Sequence, residues 1–161
     1  MAGPIEKILV YVDGSEESIS AAEYAVCLAK TLNAELSALY VVNTRALTDL
    51  VRTRIFLESE QQEYQRDLEQ DAHRYLKHTK DLARNKGVAI DTVQTSGTVH
   101  VAVKEQVKEK NIDLLVIGEL SRIRSRRDEF YNEVERAMRS VGCSVLIVKD
   151  EERVWQLYES L

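Results

Sequence analysis

Four arginines stand within six positions, at Arg122, Arg124, Arg126 and Arg127, shortly after an apolar run that ends in Gly118. Planar guanidinium groups suit phosphate and carboxylate because they present N–H donors in a fixed fork. A glycine at the end of an apolar strand is also where many α/β proteins begin a phosphate-binding turn, since bare backbone lets the anion approach. This turn is not glycine-rich, however, and Phe130 and Tyr131 follow it. Arginines in adjacent or alternating loop positions cannot all converge on one ligand. Two readings therefore stand side by side: a solvated loop whose arginines balance nearby acids, and an anion site with Arg122 and Arg124 as contacts.

Two further positions have the chemistry of ligand contacts. In "KILVYVDGSEES", Asp13 precedes Gly14 and Ser15, and an acid there can accept from an adenine amino group or a ribose hydroxyl. Val41 closes a second apolar run, "ELSALYVV", where free backbone groups can read a purine edge. Each also has a plain structural reading, as an Asp-Gly turn, a strand end and, for Gly118, a tight turn.

Enzymatic constellations are missing. The sequence contains no Walker A loop, no GxGxxG and no Ser-His-Asp or Cys-His pair at recognisable spacing. His73 and His78 are five apart on one helical stretch, which splays them, and His100 begins another. Nothing supplies a nucleophile, its base and an electrophilic stabiliser together, so no enzyme is expected. Cys27 and Cys143 belong to no CxxC or Cys/His cluster and read as buried reduced thiols, with no metal site.

The elements that must position these residues follow from the hydrophobic period. Strands are expected at 7–13, 35–42, 88–95, 112–118 and 144–148, each short, apolar and rich in β-branched residues. Helices are expected from about 16, capped by Ser15 and facing inward with Ile19, Ala22, Val26 and Ala29; from about 55 to 86, with Leu57, Tyr64, Leu68, Tyr75 and Leu82 on one face; over 98–111; and from about 126 to 141, capped by Ser125 with Asp128. Apolar strands alternating with helices imply a doubly wound α/β domain, a parallel sheet with helices on both faces. Ligands in such sheets sit beyond the carboxyl ends of the strands, where Asp13, Val41 and Gly118 fall.

The β-α order together with "KILVYVDGSEES", "LYVVN", "DLLVIG" and "CSVLIV" resembles the universal stress protein family over residues 7 to 149. The resemblance implies a five-stranded sheet in the order 3-2-1-4-5, Rossmann-like and akin to the adenine nucleotide alpha hydrolases, and homodimers paired through the last strand. In nucleotide-binding members the stretch after the fourth strand resembles G-x2-G-x9-G-S/T. Gly118 matches its first glycine, and without a gap the second falls on Ser121, the third on Tyr131 and the hydroxyl residue on Asn132. Asp13 and Val41 match residues that contact base or ribose in that branch.

A phosphate at a helix N-terminus needs bare amides within hydrogen-bonding reach, and Tyr131 puts a ring where a hydrogen was. Asn132 keeps a donor, but Glu133 adds a negative charge beside the place of a triphosphate. The expectation is a non-enzymatic stress-response protein with a degenerate nucleotide site and no cofactor. The alternative is an ATP or AMP sensor in which Asp13 and Val41 hold the adenosine and the arginine loop, with Gly118, Ser121 and Asn132, takes the phosphates.

A net charge of −5 over 161 residues argues against a surface that coats nucleic acid or anionic membrane. No apolar run approaches the roughly 18 residues that span a bilayer, and the start lacks a basic leader with a cleavage site, so a cytoplasmic protein is expected. Residues 1–149 read as one domain and 150–161 as an amphipathic tail. Val154, Leu157, Tyr158 and Leu161 fall there at helical spacing beside Trp155, the only tryptophan. So short a helix should dock on the body, on a dimer mate or on a protein partner.

Overall fold

Runs of aliphatic and β-branched residues form five strands: β1 (Lys7–Tyr11), β2 (Glu35–Val42), β3 (Ile90–Ser96), β4 (Leu114–Gly118) and β5 (Ser144–Val148). The computed structural model describes residues 3–44, 52, 57–120 and 129–161, with backbone alone at 58 and 129–132. Every described strand pair is parallel, in the order β3-β2-β1-β4-β5, as expected from the resemblance. Parallel neighbours need long crossovers. The helices are α1 (Glu16–Leu32), α2 (Glu58–Arg84), α3 (Val99–Glu109) and α4 (Glu129–Ser140), and α5 (Glu151–Glu159) follows the last strand.

Successive strand side chains point to opposite faces, and the sheet divides the core accordingly. Ile8, Val10, Ala38 and Val116 pack with Ala22, Val26, Leu82 and Val154 on one side. Leu9, Leu39, Leu115 and Ile117 pack with Val103, Val107 and Ala137 on the other. The central strands are therefore sealed on both faces, which holds their carboxyl ends in a fixed relation.

Three differences from the sequence reading have physical causes. β1 ends at Tyr11, although Val12 still donates its amide to the Leu39 carbonyl at 2.9 Å; beyond it the chain turns into the cap of α1. Ile19 is only half-buried, whereas Ala21 and Ala25 are fully buried, because α1 packs against α2 as well as against the sheet. In α2, Leu57 and Tyr64 are exposed, while Ala72, Leu76, Thr79 and Ala83 are buried. The helix has 27 residues and is about 40 Å long, which outruns strands of this length. Its Tyr75 stands against Gly14, just past β1, so the residues before it rise beyond the carboxyl edge of the sheet.

Cys27 and Cys143 are free and half-buried, short of the full burial expected, and burial pushes both thiols up. Among the described residues no helix is long and apolar enough to cross a membrane.

Candidate functional site

Asp13 is set by the residues that follow it. The Ser15 amide and hydroxyl donate to Asp13 Oδ1 at 2.9 and 2.5 Å. Ser15 Oγ in turn accepts from the Ser18 amide at 3.1 Å and caps α1. The buried Ser18 hydroxyl accepts from the Asp13 amide at 3.3 Å and donates to the Ser15 carbonyl at 2.9 Å. Both described bonds to the carboxylate use Oδ1, and Asp13 is exposed, so the acid faces solvent beyond the end of β1.

Gly14 makes this turn with φ +84°, and a Cβ there would lie 2.6 Å from Tyr75 Cε2. Tyr75 is stacked on Tyr40, with centroids 6.4 Å apart, and Arg74 lies 5.1 Å from the Tyr75 ring centre. Burial, then Asp13, Asp71 and Tyr75, push the Tyr40 hydroxyl up to about 12. An aromatic wall thus stands beside Asp13, built from residues that no sequence pattern marked for the site.

Val41 is buried, with its side chain in the α3 and α4 layer. Along a strand, backbone groups alternate between the two neighbours. Leu39 accepts from Val12 on the β1 side, and Val42 accepts from Gly97 at 3.0 Å on the β3 side. The Val41 amide and carbonyl consequently face the β1 side, past the last ladder bond, which is the orientation an edge-reading role requires.

Gly118 has an internal reason to be glycine. A Cβ there would lie 2.5 Å from both the backbone carbon and oxygen of Glu17, so the end of β4 and the first turn of α1 touch through main chain. This close approach holds with or without a ligand.

Opposite Asp13, Glu133 on α4 meets His100 on α3. His100 Nδ1 lies 2.6 Å from Glu133 Oε2, the His100 amide donates to the same oxygen at 3.3 Å, and Arg136 stands 3.5 Å from Oε1. Burial alone would raise the Glu133 carboxyl, but the hydrogen bonds from the His100 ring and amide, with the His100 and Arg136 charges, hold it below the usual carboxylate range. An ionised carboxylate only accepts, so Nδ1 carries the proton of the ring bond. Burial and, after it, the charges of Asp13, Tyr40 and Glu133 push up the Tyr11 hydroxyl. Both acids therefore act on one buried tyrosine at the end of β1.

The structure thus gathers Asp13, Val41 and Gly118 around the ends of β1, β2 and β4. Ser121, Arg122 and Arg124 lie outside the described residues, as do Arg126, Arg127 and the Ser125–Asp128 cap. Tyr131 and Asn132 belong to α4 by their backbone. His73 and His78 are exposed, and among the described residues no group of His, Cys, Asp and Glu is arranged to hold a metal ion.

The model of the universal stress protein family matches residues 4–149. Universal stress protein YxiE of Bacillus subtilis is 31% identical over 150 residues, 89% of this chain and 98% of the relative. Universal stress protein MJ0531 of Methanocaldococcus jannaschii is 29% identical over 148 residues, 92% of this chain and 84% of the relative. Among solved structures, a universal stress protein in complex with cAMP superimposes with a TM-score of 0.67 at 19% identity, covering 91% of this chain and 99% of that one. A family protein of Arabidopsis thaliana with AMP bound gives 0.63 at 16% identity, covering 92% and 94%. These structures share the fold described above.

Proposed function

The chain belongs to the universal stress protein family, and from that premise we propose that it is a non-enzymatic, cytoplasmic stress-response protein that acts as a homodimer through protein contacts, with family-type ATP binding lost. The observation that carries this reading is the His100–Glu133 pair. It fixes a carboxylate two residues after Tyr131, the position that aligns with the third glycine of the nucleotide motif. A triphosphate laid there meets a held negative charge, and like charges in a partly dry site repel.

Dimer pairing is assigned to β5, which has β4 on one side only and whose residues are mostly half-buried. An edge strand with open backbone groups is a template for a second copy.

A second reading is favoured by Asp13 and by the backbone direction of Val41: an adenine-nucleotide sensor holding adenosine at those two residues, with Arg122 and Arg124 toward the phosphates. Relatives of this fold solved with cAMP and AMP make the ligand class concrete. Calorimetric titration with ATP, ADP and AMP separates the two. The first reading expects no heat of binding at millimolar ATP. Micromolar binding that Asp13→Ala weakens by about 1 to 3 kcal/mol, the scale of a charged hydrogen bond, overturns it in favour of the sensor.

A further inference from the structure

Two features oppose the seating of α5 on α1. The seat itself is well made: Val154 is fully buried, Tyr158 Oη donates to the Leu82 carbonyl at 2.8 Å, and the Lys86 ammonium stands 4.9 Å from the Tyr158 ring centre. Beneath it, however, Ser20, Glu23 and Cys27 fall on one stripe of α1, where a permanent seam would be apolar. Glu23 is 8% exposed, and neither its Oε2 nor Ser20 Oγ has a hydrogen-bond partner among the described residues. A charge buried without a partner is costly.

The groups facing Glu23 do not relieve it. α5 brings Glu151 and Glu159, and burial foremost, then these two acids, push the Glu23 carboxyl above its ordinary value. Cys27 on α1 and Tyr158 on α5 both sense the Glu23 charge. The cation at the seam, Lys86 beyond the end of α2, is directed to the Tyr158 ring and the Glu159 carbonyl, at 3.4 Å. The link to β5 is Asp150, at φ +64°, a left-handed conformation that aspartate tolerates better than most residues, and its carboxylate accepts from the Arg153 amide at 3.2 Å and caps α5. The nine-residue α5 is too short to persist once unseated.

We propose that α5 is a strap whose seating is governed by the charge on Glu23: the neutral carboxyl holds it on α1, and the ionised one lets it lift about Asp150. The sign follows from the direction of the shift. A carboxyl raised above its ordinary 4.5 when seated favours seating fully below 4.5, and that contribution is lost as pH rises through the seated value. Lifting bares Val154, Tyr158 and the α1 stripe together, so acid closes this surface and alkali opens it.

Amide hydrogen exchange over 151–159 in the full chain, corrected for intrinsic rates, measures the seating, and Trp155 emission reports it independently. From pH 4 to pH 8, protection in the wild type should fall by about tenfold for each unit by which seating raises the carboxyl. Glu23→Gln, folded by circular dichroism, should keep its pH 5 protection at pH 8. A wild-type protection that does not change with pH, or an equal fall in Glu23→Gln, overturns the proposal. Glu151→Gln with Glu159→Gln, both on exposed positions, keeps the test standing if Glu23→Gln does not fold: the fall should shrink, and an unchanged fall is equally fatal.

Discussion

The Asp13 and Glu133 ends of the site are built from opposite materials. At the Asp13 end the described hydrogen bonds that fix the acid are local, running between residues 13 and 18, and the groups left over are acceptors and open backbone. At the Glu133 end the contact joins residues 33 apart in the chain, and the acid is consumed by the His100 ring and amide. One end is furnished for a ligand and the other is satisfied by the protein itself. The proposed loss of ATP binding rests on that asymmetry, with Asp13 open to solvent and Glu133 engaged by His100.

The two ends are joined where β4 meets α1, and breaking that joint should have the largest effect. In Gly118→Ala the new Cβ would press on the Glu17 backbone at 2.5 Å, and main chain cannot swing aside as a side chain can. A loss of about 3 kcal/mol, the upper part of the usual overpacking range, is expected in the urea midpoint. Because the displaced turn carries the Ser15 cap, the Asp13 end should move with it. Unaltered stability would mean that α1 shifts freely and that the two ends are not rigidly connected.

A smaller effect tests whether the Glu133 end is self-satisfied. Glu133 is held below its ordinary 4.5 in the folded protein, so its contribution is fully present above pH 4.5 and is lost as pH falls through the folded value. Glu133→Gln should destabilise by about 1.5 kcal/mol at neutral pH, the scale for hydrogen bonds to a charged group. It should also flatten the acid limb of the stability curve below pH 4.5. A variant whose urea midpoint tracks the wild type at every pH would show the pair to be idle, and the case for a closed phosphate end would go with it.

These two ends also differ in how far they could be read beforehand. Ser15, with Glu16 and Glu17 after it, marks the start of α1 because a cap is a local interaction, and the runs forming β2 and β5 match their observed bounds. The strand order came from the family resemblance, since periodicity does not say which strands are neighbours. The His100–Glu133 pair could not be found, because two residues on different helices leave no spacing to detect. Tyr75 and Tyr40 were hidden for the same reason, although an Asp-Gly turn that needs a bare Gly14 hints that something large stands over it. Periodicity puts Leu57, Tyr64, Leu68, Tyr75 and Leu82 on one face but does not say how far the sheet supports that face, and Leu57 and Tyr64 are exposed. Glu23 reads as a solvated helix position until α5 is laid over it.

The smallest expected effect sharpens the Asp13 end. Ser15 has two tasks, capping α1 through Oγ and holding Asp13 Oδ1 through its hydroxyl and amide. Ser15→Ala removes the cap and the hydroxyl bond but leaves the amide bond, and losing such a cap costs about 1 kcal/mol. If Asp13 is placed mainly by the Ser15 amide and by the Ser18 hydroxyl on its own backbone, the carboxylate should stay in position while stability drops by that amount. Urea unfolding measures the drop, and the carboxyl carbon shift of Asp13 in a pH titration reports its surroundings. A stability loss with an unmoved Asp13 signal identifies the site as backbone-built and tolerant of side-chain change. A displaced signal would show that the hydroxyl is what aims the acid, making the Asp13 end as dependent on one side-chain contact as the Glu133 end.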